Sequence, residues 1–245
     1  MENIGFSYGT KPILDSVSLH IPTGKIWALI GRSGVGKTTL LQIVAGLFSP
    51  TNGIISISGR EQLKAGRVKG VVFQEDSLLG WLTVEDNVLF PQHTRAPDEE
   101  RIKARSLLNE MGLSKCHDDF PSTLSTGMRK RVEFARALFV DHDYLLADEP
   151  FGPLDALTRR SLWKLWQELR RREPRTGILS THDPEEAIRL CDVVITLTPG
   201  NPARLGQPLE VPSHLSNLAP NETTAELLSL KERIVCTLNA DVIEP

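Results

Sequence analysis

Apolar runs bounded by glycine and proline predict strands from Lys25 to Ile30, Ile54 to Ser58, Gly70 to Phe73, Tyr144 to Ala147, Gly177 to Ser180 and Val193 to Thr198. The middle runs are continuously apolar, which suits strands buried on both faces of a mostly parallel sheet. Helical patterns come after several of them, among them about Lys37 to Ala45 and Asp155 to Arg172. This βα alternation predicts an α/β fold class. In the longer helix Leu162, Leu165, Trp166 and Leu169 fall at i, i+3, i+4 and i+7, a stripe that predicts core packing.

Between Gln74 and Tyr144 the pattern changes: Asp86 to Leu89, Asp98 to Met111 and Gly127 to Val140 read as helices without a strand between them. Thr83 and Asp86 fit a capping box, and Pro97 with Asp98 and Glu99 opens the second helix. Residues 76–136 are therefore expected to form a helical insert in one domain spanning 1–245, with 1–75 and 137–206 as its core lobe. Prolines at 199, 202, 208, 212 and 220 interrupt the chain beyond Thr198, so 207–245 reads as a connector and a closing helix from Glu226 to Thr237.

Composition excludes more than it identifies. With 28 basic and 31 acidic residues, a net charge of −3 and 40% hydrophobic content, the 245-residue chain reads as ordinary globular material. The charge balance gives no electrostatic case for a nucleic-acid binder. Cys116, Cys191 and Cys236 lack disulfide or zinc spacing and read as buried small hydrophobes of a reducing compartment. The start, MENIGFSYGT, has no basic stretch leading into an apolar one, and no run nears the 18 apolar residues of a membrane span. Any membrane link is thus expected to pass through another protein.

The strongest chemical signal is GRSGVGKT, the pattern G-x-x-x-x-G-K-T set between an apolar strand and a helix. Gly31 and Gly36 let backbone N–H groups curl round phosphate oxygens, Lys37 reaches the β and γ phosphates, and the Thr38 hydroxyl ligates Mg²⁺. The run Tyr144-Leu-Leu-Ala-Asp148-Glu149 ends a buried strand in two carboxylates. Asp148 would hold Mg²⁺ through water and Glu149 would activate the attacking water. Together these predict a nucleoside triphosphatase or kinase.

Further motifs choose between them. Leu124-Ser-Thr-Gly-Met-Arg-Lys-Arg131 resembles the LSGGQ signature of ABC proteins, with its basic tail. Gln74 in VVFQ looks like the Q-loop glutamine, Asp155 in FGPLD like the D-loop aspartate, His182 in LSTHDPEEA like the switch histidine, and Tyr8 in FSYG like the aromatic that stacks on adenine. In this order they resemble the nucleotide-binding subunit of an ABC transporter from Tyr8 to about Thr198. The resemblance implies a P-loop NTPase fold with a mostly parallel core sheet, an N-terminal antiparallel β portion and an inserted helical subdomain.

It also implies a catalytic set of Glu149, His182, Gln74 and Lys37, and ATP bound between two copies of the chain. One copy would supply Tyr8, Gly31, Arg32, Ser33, Gly34, Val35, Gly36, Lys37, Thr38, Thr39, Gln74, Asp148 and His182, and the other Ser125, Thr126 and Gly127. Mg²⁺ would fall to Thr38, Gln74 and Asp148, and the dimer interface would include Asp155. The implied place is the cytoplasmic side of the inner membrane, bound peripherally to permease subunits that work with a solute-binding protein.

A finer resemblance begins at Gln74. QEDSLLGWLTVEDNV and FGPLDALTR are similar to the nitrate, sulfonate and taurine importer branch, in which Leu78, Leu79 and Trp81 would receive the membrane subunit. The alternatives are a soluble ABC ATPase working on DNA or the ribosome, which usually carries a coiled coil or a second cassette, and an exporter subunit. Three departures accompany the resemblance: Thr126 stands where the signature has its first glycine, Pro153 stands at a small D-loop position, and few residues precede Tyr8 for a first strand. The β-branched Thr126 is expected to weaken closure or slow hydrolysis.

Overall fold

The computed structural model describes residues 1–57, 59–61, 70–90, 96–139, 144–152, 154–200 and 202–240. Its strands are β1 (Glu2–Tyr8), β2 (Lys11–Val17), β3 (Ile26–Ile30), β4 (Asn52–Ile54), β5 (Ser56–Ile57), β6 (Arg60–Glu61), β7 (Val71–Val72), β8 (Tyr144–Asp148), β9 (Thr176–Thr181), β10 (Val193–Thr198), β11 (Arg204–Leu205) and β12 (Leu209–Glu210). Its helices are α1 (Lys37–Val44), α2 (Val84–Leu89), α3 (Asp98–Glu110), α4 (Thr126–Phe139), α5 (Ala156–Arg172), α6 (Pro184–Leu190) and α7 (Ala225–Ala240).

The main sheet runs β11-β10-β3-β9-β8-β7, with β12 also on β10. From β10 to β7 every pairing is parallel. Alternate residues of β3 feed opposite faces, as a period of two requires. Ile26, Ala28 and Ile30 join one apolar cluster with α2 to α5, while Trp27 and Leu29 join the other with α1 and the N-terminal hairpin. Leu162 and Trp166 of the α5 stripe are buried, and Leu165 and Leu169 pack partly buried on the same cluster.

The registers Ile30↔Thr181 and Asp148↔Ser180 bring β3, β8 and β9 to a common C-terminal edge. Chain segments leaving parallel strands at such an edge form the usual ligand crevice of open α/β sheets. Gly31, Gln74, Glu149 and His182 all come just after strands of this set, so sheet topology alone gathers them on one side.

The helices α2, α3 and α4 pack on one another through Val84, Val88, Leu89, Ala104, Leu108 and Val132, all buried. Thr83 caps α2, its hydroxyl accepting from the Asp86 N–H at 3.1 Å. Glu85 is buried among them. Burial alone would raise its carboxyl, but hydrogen bonds from Arg105 and Arg101 outweigh this and hold it below the usual range.

Four sequence expectations change. The strand expected from Ile54 to Ser58 divides into β4 and β5, with Gly53 at φ +90° just ahead, and its last residue lies outside the described set. Despite the short start, β1 occupies Glu2 to Tyr8 and pairs antiparallel with β2. A helix not foreseen, α6, begins just after His182, with Asp183 as its cap and Pro184 at its first position. Cys236 is exposed on α7, whereas Cys191 is buried, where desolvation pushes its thiol far up. Pro153 lies outside the described residues.

Candidate functional site

The phosphate loop links β3 to α1 through Gly36, which adopts φ +112° at the helix N-cap. An L side chain is strained there, and glycine is not. Gly31 is buried, Arg32, Ser33, Gly34 and Thr38 are exposed, Val35 is half-buried and Thr39 is buried. No carboxylate occupies the first turn of α1, so its unpaired N–H groups and the positive end of its dipole face an incoming anion without competition.

Lys37 is 4% exposed, and its Nζ donates to Gly31 O at 2.9 Å and Arg32 O at 3.1 Å. The same nitrogen lies 3.0 Å from Glu149 Oε1. On its other oxygen Glu149 meets His182 Nδ1 at 3.1 Å. Burial pushes the Glu149 carboxyl up, but the hydrogen bonds and charges of Lys37 and His182 more than reverse this and hold it below the usual carboxylate range. Glu149 is therefore ionised at neutral pH. Its φ of +39° is a strained conformation for a residue with a side chain, and it turns the carboxylate from the end of β8 toward Lys37.

Ser180 is the residue that sequence reasoning missed. It is fully buried opposite Asp148, its Oγ donates to Asp148 Oδ1 at 2.5 Å, and the Glu149 N–H donates back to Ser180 Oγ at 3.0 Å. One hydroxyl thus orients both carboxylate residues. The available signal was a hydroxyl residue at the end of the strand that leads to His182. Farther along α6, burial and the Asp183 charge push the Glu186 carboxyl up to about 8.

Thr38, Gln74 and Asp148 line one cavity of about 430 Å³. Gln74, Thr126, Glu149 and His182 line a second of about 610 Å³. Tyr8, half exposed at the end of β1, meets Phe6 and Phe48 edge-on at 4.9 and 6.0 Å. Its hairpin is anchored to the phosphate loop, because Ile13 and Leu14 of β2 border Gly36 so closely that an added Cβ would lie 3.1 Å from Ile13.

Ser125 and Gly127 line neither cavity and stand at the N-terminus of α4, where Ser125 Oγ accepts from the Met128 N–H at 3.3 Å. An added Cβ on Gly127 would come within 2.5 Å of the Thr158 methyl, so α5 requires glycine at this place. Asp155 caps α5, its carboxylate accepting from Thr158 Oγ1 at 2.6 Å and from the Leu157 and Thr158 N–H groups. Those hydrogen bonds, Thr158 first, hold its carboxyl low.

Trp81 is 74% exposed, whereas Leu78 and Leu79 are half-buried and Leu78 packs on the core. The buried Asn87 fixes this loop, accepting from Leu79 N–H at 2.8 Å and donating to the carbonyls of Leu79, Leu82 and Thr83. Phe90 and Phe120 are also exposed in the helical layer. No helix among the described residues is long and apolar enough to cross a membrane.

The sequence profile of the family described as ABC transporter matches residues 14–152. The chain is 43% identical over 196 residues to the aliphatic sulfonates import ATP-binding protein SsuB 1 of Rhodococcus jostii, covering 80% of this chain and 77% of that one. It is 42% identical over 202 residues to the nitrate import ATP-binding protein NrtC of Synechococcus elongatus, covering 81% of this chain and 31% of that longer protein. In structure it is similar to the dimeric bacterial ABC transporter cassette MJ0796, with a TM-score of 0.75 and 28% identity over 86% of this chain and 98% of that one.

Proposed function

This chain belongs to the ABC transporter family as an ATP-hydrolysing, ATP-binding subunit, and on that premise we propose that it drives uptake of a small oxyanion-bearing solute through separate membrane subunits. The observation that carries the reading is the chain of contacts from Lys37 through Glu149 to His182 at the sheet edge. A buried lysine, an ionised carboxylate and an exposed imidazole meet there beside an open helix N-terminus. The named substrates of its relatives, aliphatic sulfonates and nitrate, supply the solute class.

The chemistry derives from what each group offers. Lys37 exchanges Glu149 and two carbonyls for the β and γ phosphates, so nucleotide entry itself releases the carboxylate. Glu149, freed and still anionic, accepts the proton of the attacking water. His182 holds the γ phosphate, and the N–H groups from Gly31 to Thr39 stabilise charge developing on it.

The cavity that Thr38, Gln74 and Asp148 share presents a hydroxyl, an amide oxygen and a carboxylate, a set of hard oxygen donors that fits Mg²⁺. When bound, Mg²⁺ neutralises phosphate charge. Ser180 keeps the Asp148 carboxylate aimed at that cavity. Tyr8 offers an exposed ring face for adenine.

Ser125 and Gly127 stand at the N-terminus of α4 and line neither cavity of the chain's own site, which supports their serving, with Thr126 between them, the nucleotide of a second copy, with Asp155 at that interface. The dimer of the similar cassette supports the same arrangement. Thr126 is exposed at the first position of α4, so its side chain stands between the helix N–H groups and a phosphate. Thr126→Gly is expected to raise ATP turnover by a few-fold without altering half-saturation by ATP, measured as phosphate release.

Trp81 supplies the docking point for a permease on the cytoplasmic membrane face. An indole this exposed in a loop fixed by a buried asparagine is a rigid apolar anchor. Trp81→Ala should lower solute uptake about tenfold or more while leaving phosphate release by the isolated subunit within twofold. Unchanged uptake would remove Trp81 from the interface. The proposal as a whole is tested in cells lacking this chain, by uptake of labelled taurine, ethanesulfonate and nitrate. Uptake of one of these should vanish and return with the wild-type chain only, and undiminished uptake of all three overturns the solute class.

A further inference from the structure

The loop that carries Gln74 is held by side chains of a single helix. Lys130 and Glu133, one turn apart on α4, form an ion pair at 2.6 Å with side chains 5% and 0% exposed. Taking two charges out of water is costly unless every remaining donor and acceptor is matched. Here the matches all lie in the segment 73–77. Lys130 Nζ donates to Phe73 O at 2.9 Å, and Glu133 Oε1 accepts from the Ser77 N–H at 2.6 Å and the Ser77 hydroxyl at 2.9 Å.

Neighbours on the same face complete the grip. Arg136 donates to Ser77 O at 2.8 Å and to its hydroxyl, and Arg129 pairs with Asp76 at 2.6 Å. Phe73 and Ser77 bracket Gln74, which is exposed and borders both cavities of the site. The N-terminal end of the same helix carries Ser125, Thr126 and Gly127.

We propose that Lys130 and Glu133 are positioning residues that set the backbone on either side of Gln74, so that its amide reaches the Mg²⁺ of the chain's own nucleotide only when α4 is in place. The inference rests on the reading of Gln74 given above. It makes one rigid helix the link between the two nucleotide sites of a dimer: its N-terminus faces one, and its lateral ion pair sets a metal-binding group at the other. A pair that merely stabilised the packing of α4 would leave metal dependence untouched.

The test uses the full chain and a fluorescent non-hydrolysable ATP analogue, titrated with Mg²⁺ at fixed nucleotide so that turnover plays no part. Lys130→Met and Glu133→Gln should each raise the Mg²⁺ concentration at half-maximal binding by about tenfold, the scale of removing an outer partner of a metal ligand. Binding of the analogue in excess chelator should stay within twofold. Gln74→Ala should give a similar rise, and Gln74→Ala with Lys130→Met no more than Gln74→Ala alone. Lys130→Gln, which keeps a donor for Phe73 O without a buried charge, should restore most of the wild-type midpoint, and Glu133→Gln alone, and combined with Gln74→Ala, carries the test if Lys130→Met does not fold. Unchanged midpoints in Lys130→Met and Glu133→Gln beside a shifted Gln74→Ala overturn the inference alone, as does an additive double variant. An unshifted Gln74→Ala overturns the role of Gln74 and the inference with it.

Discussion

Replacing Glu149 by glutamine should lower ATP turnover by roughly 10²- to 10⁴-fold, the contribution of a positioned general base, while nucleotide binding persists. The amide keeps the volume of the side chain and a hydrogen-bonding oxygen for Lys37, but it cannot accept the proton of water. With hydrolysis blocked, ATP is retained, and if two copies enclose it the closed dimer should accumulate. Size-exclusion chromatography in saturating Mg-ATP should then show the variant at twice the wild-type mass. A variant that stays monomeric while the wild type is active would falsify the enclosed-nucleotide arrangement. The pH profile offers a second check: because Lys37 and His182 hold the Glu149 carboxyl below its ordinary range before nucleotide enters, kcat/KM, which reports the free protein, should not lose this base between pH 8 and about 5.

Lys37→Met should be comparably severe, with kcat falling about 10²- to 10³-fold as for the loss of one preorganised donor to developing charge. Its effect on the resting protein is separate and has a definite sign. Lys37 is the chief partner that depresses the Glu149 carboxyl. A carboxyl depressed in the folded state adds stability that is fully present above its unfolded value of about 4.3 and lost as pH falls through the folded value. The methionine variant forfeits that contribution, so its deficit in stability at pH 7 should shrink as pH drops below about 4. Denaturant midpoints measured from about pH 7 to about pH 3 would show it, and a gap that widens on acidification would mean that the pair does not stabilise the fold.

Much of the site is legible in the sequence where chemistry fixes residue type within a short stretch. Gly36 needs a positive φ, Lys37 a long cation, and Asp148 and Glu149 the end of a buried strand. The N-terminal hairpin is harder to read for a local reason. Positive φ at Asn3 and Ser16 and register shifts between Ile4 and Ser7 break the alternation that marks a strand. The helix α6 is only seven residues long, below the length at which periodicity speaks. Leu78 and Trp81 look equivalent as apolar loop residues, yet Asn87 folds their loop so that Leu78 points inward and Trp81 outward.

By itself the sequence determined the α/β layering, the phosphate loop, the two carboxylates and the order of motifs, since each depends on residue type and spacing along a few turns or one strand. Only the tertiary structure decided which groups meet. Parallel pairing of β3, β9 and β8 in register puts Lys37, Glu149 and His182 within hydrogen-bonding reach and sets Ser180 beneath both carboxylates. The packing of α4 against the segment after β7 turns Lys130 of the basic tail and Glu133 into a buried pair around Gln74. Such partnerships join residues far apart in the chain, and no local pattern records them because each partner alone is indistinguishable from a solvated surface charge.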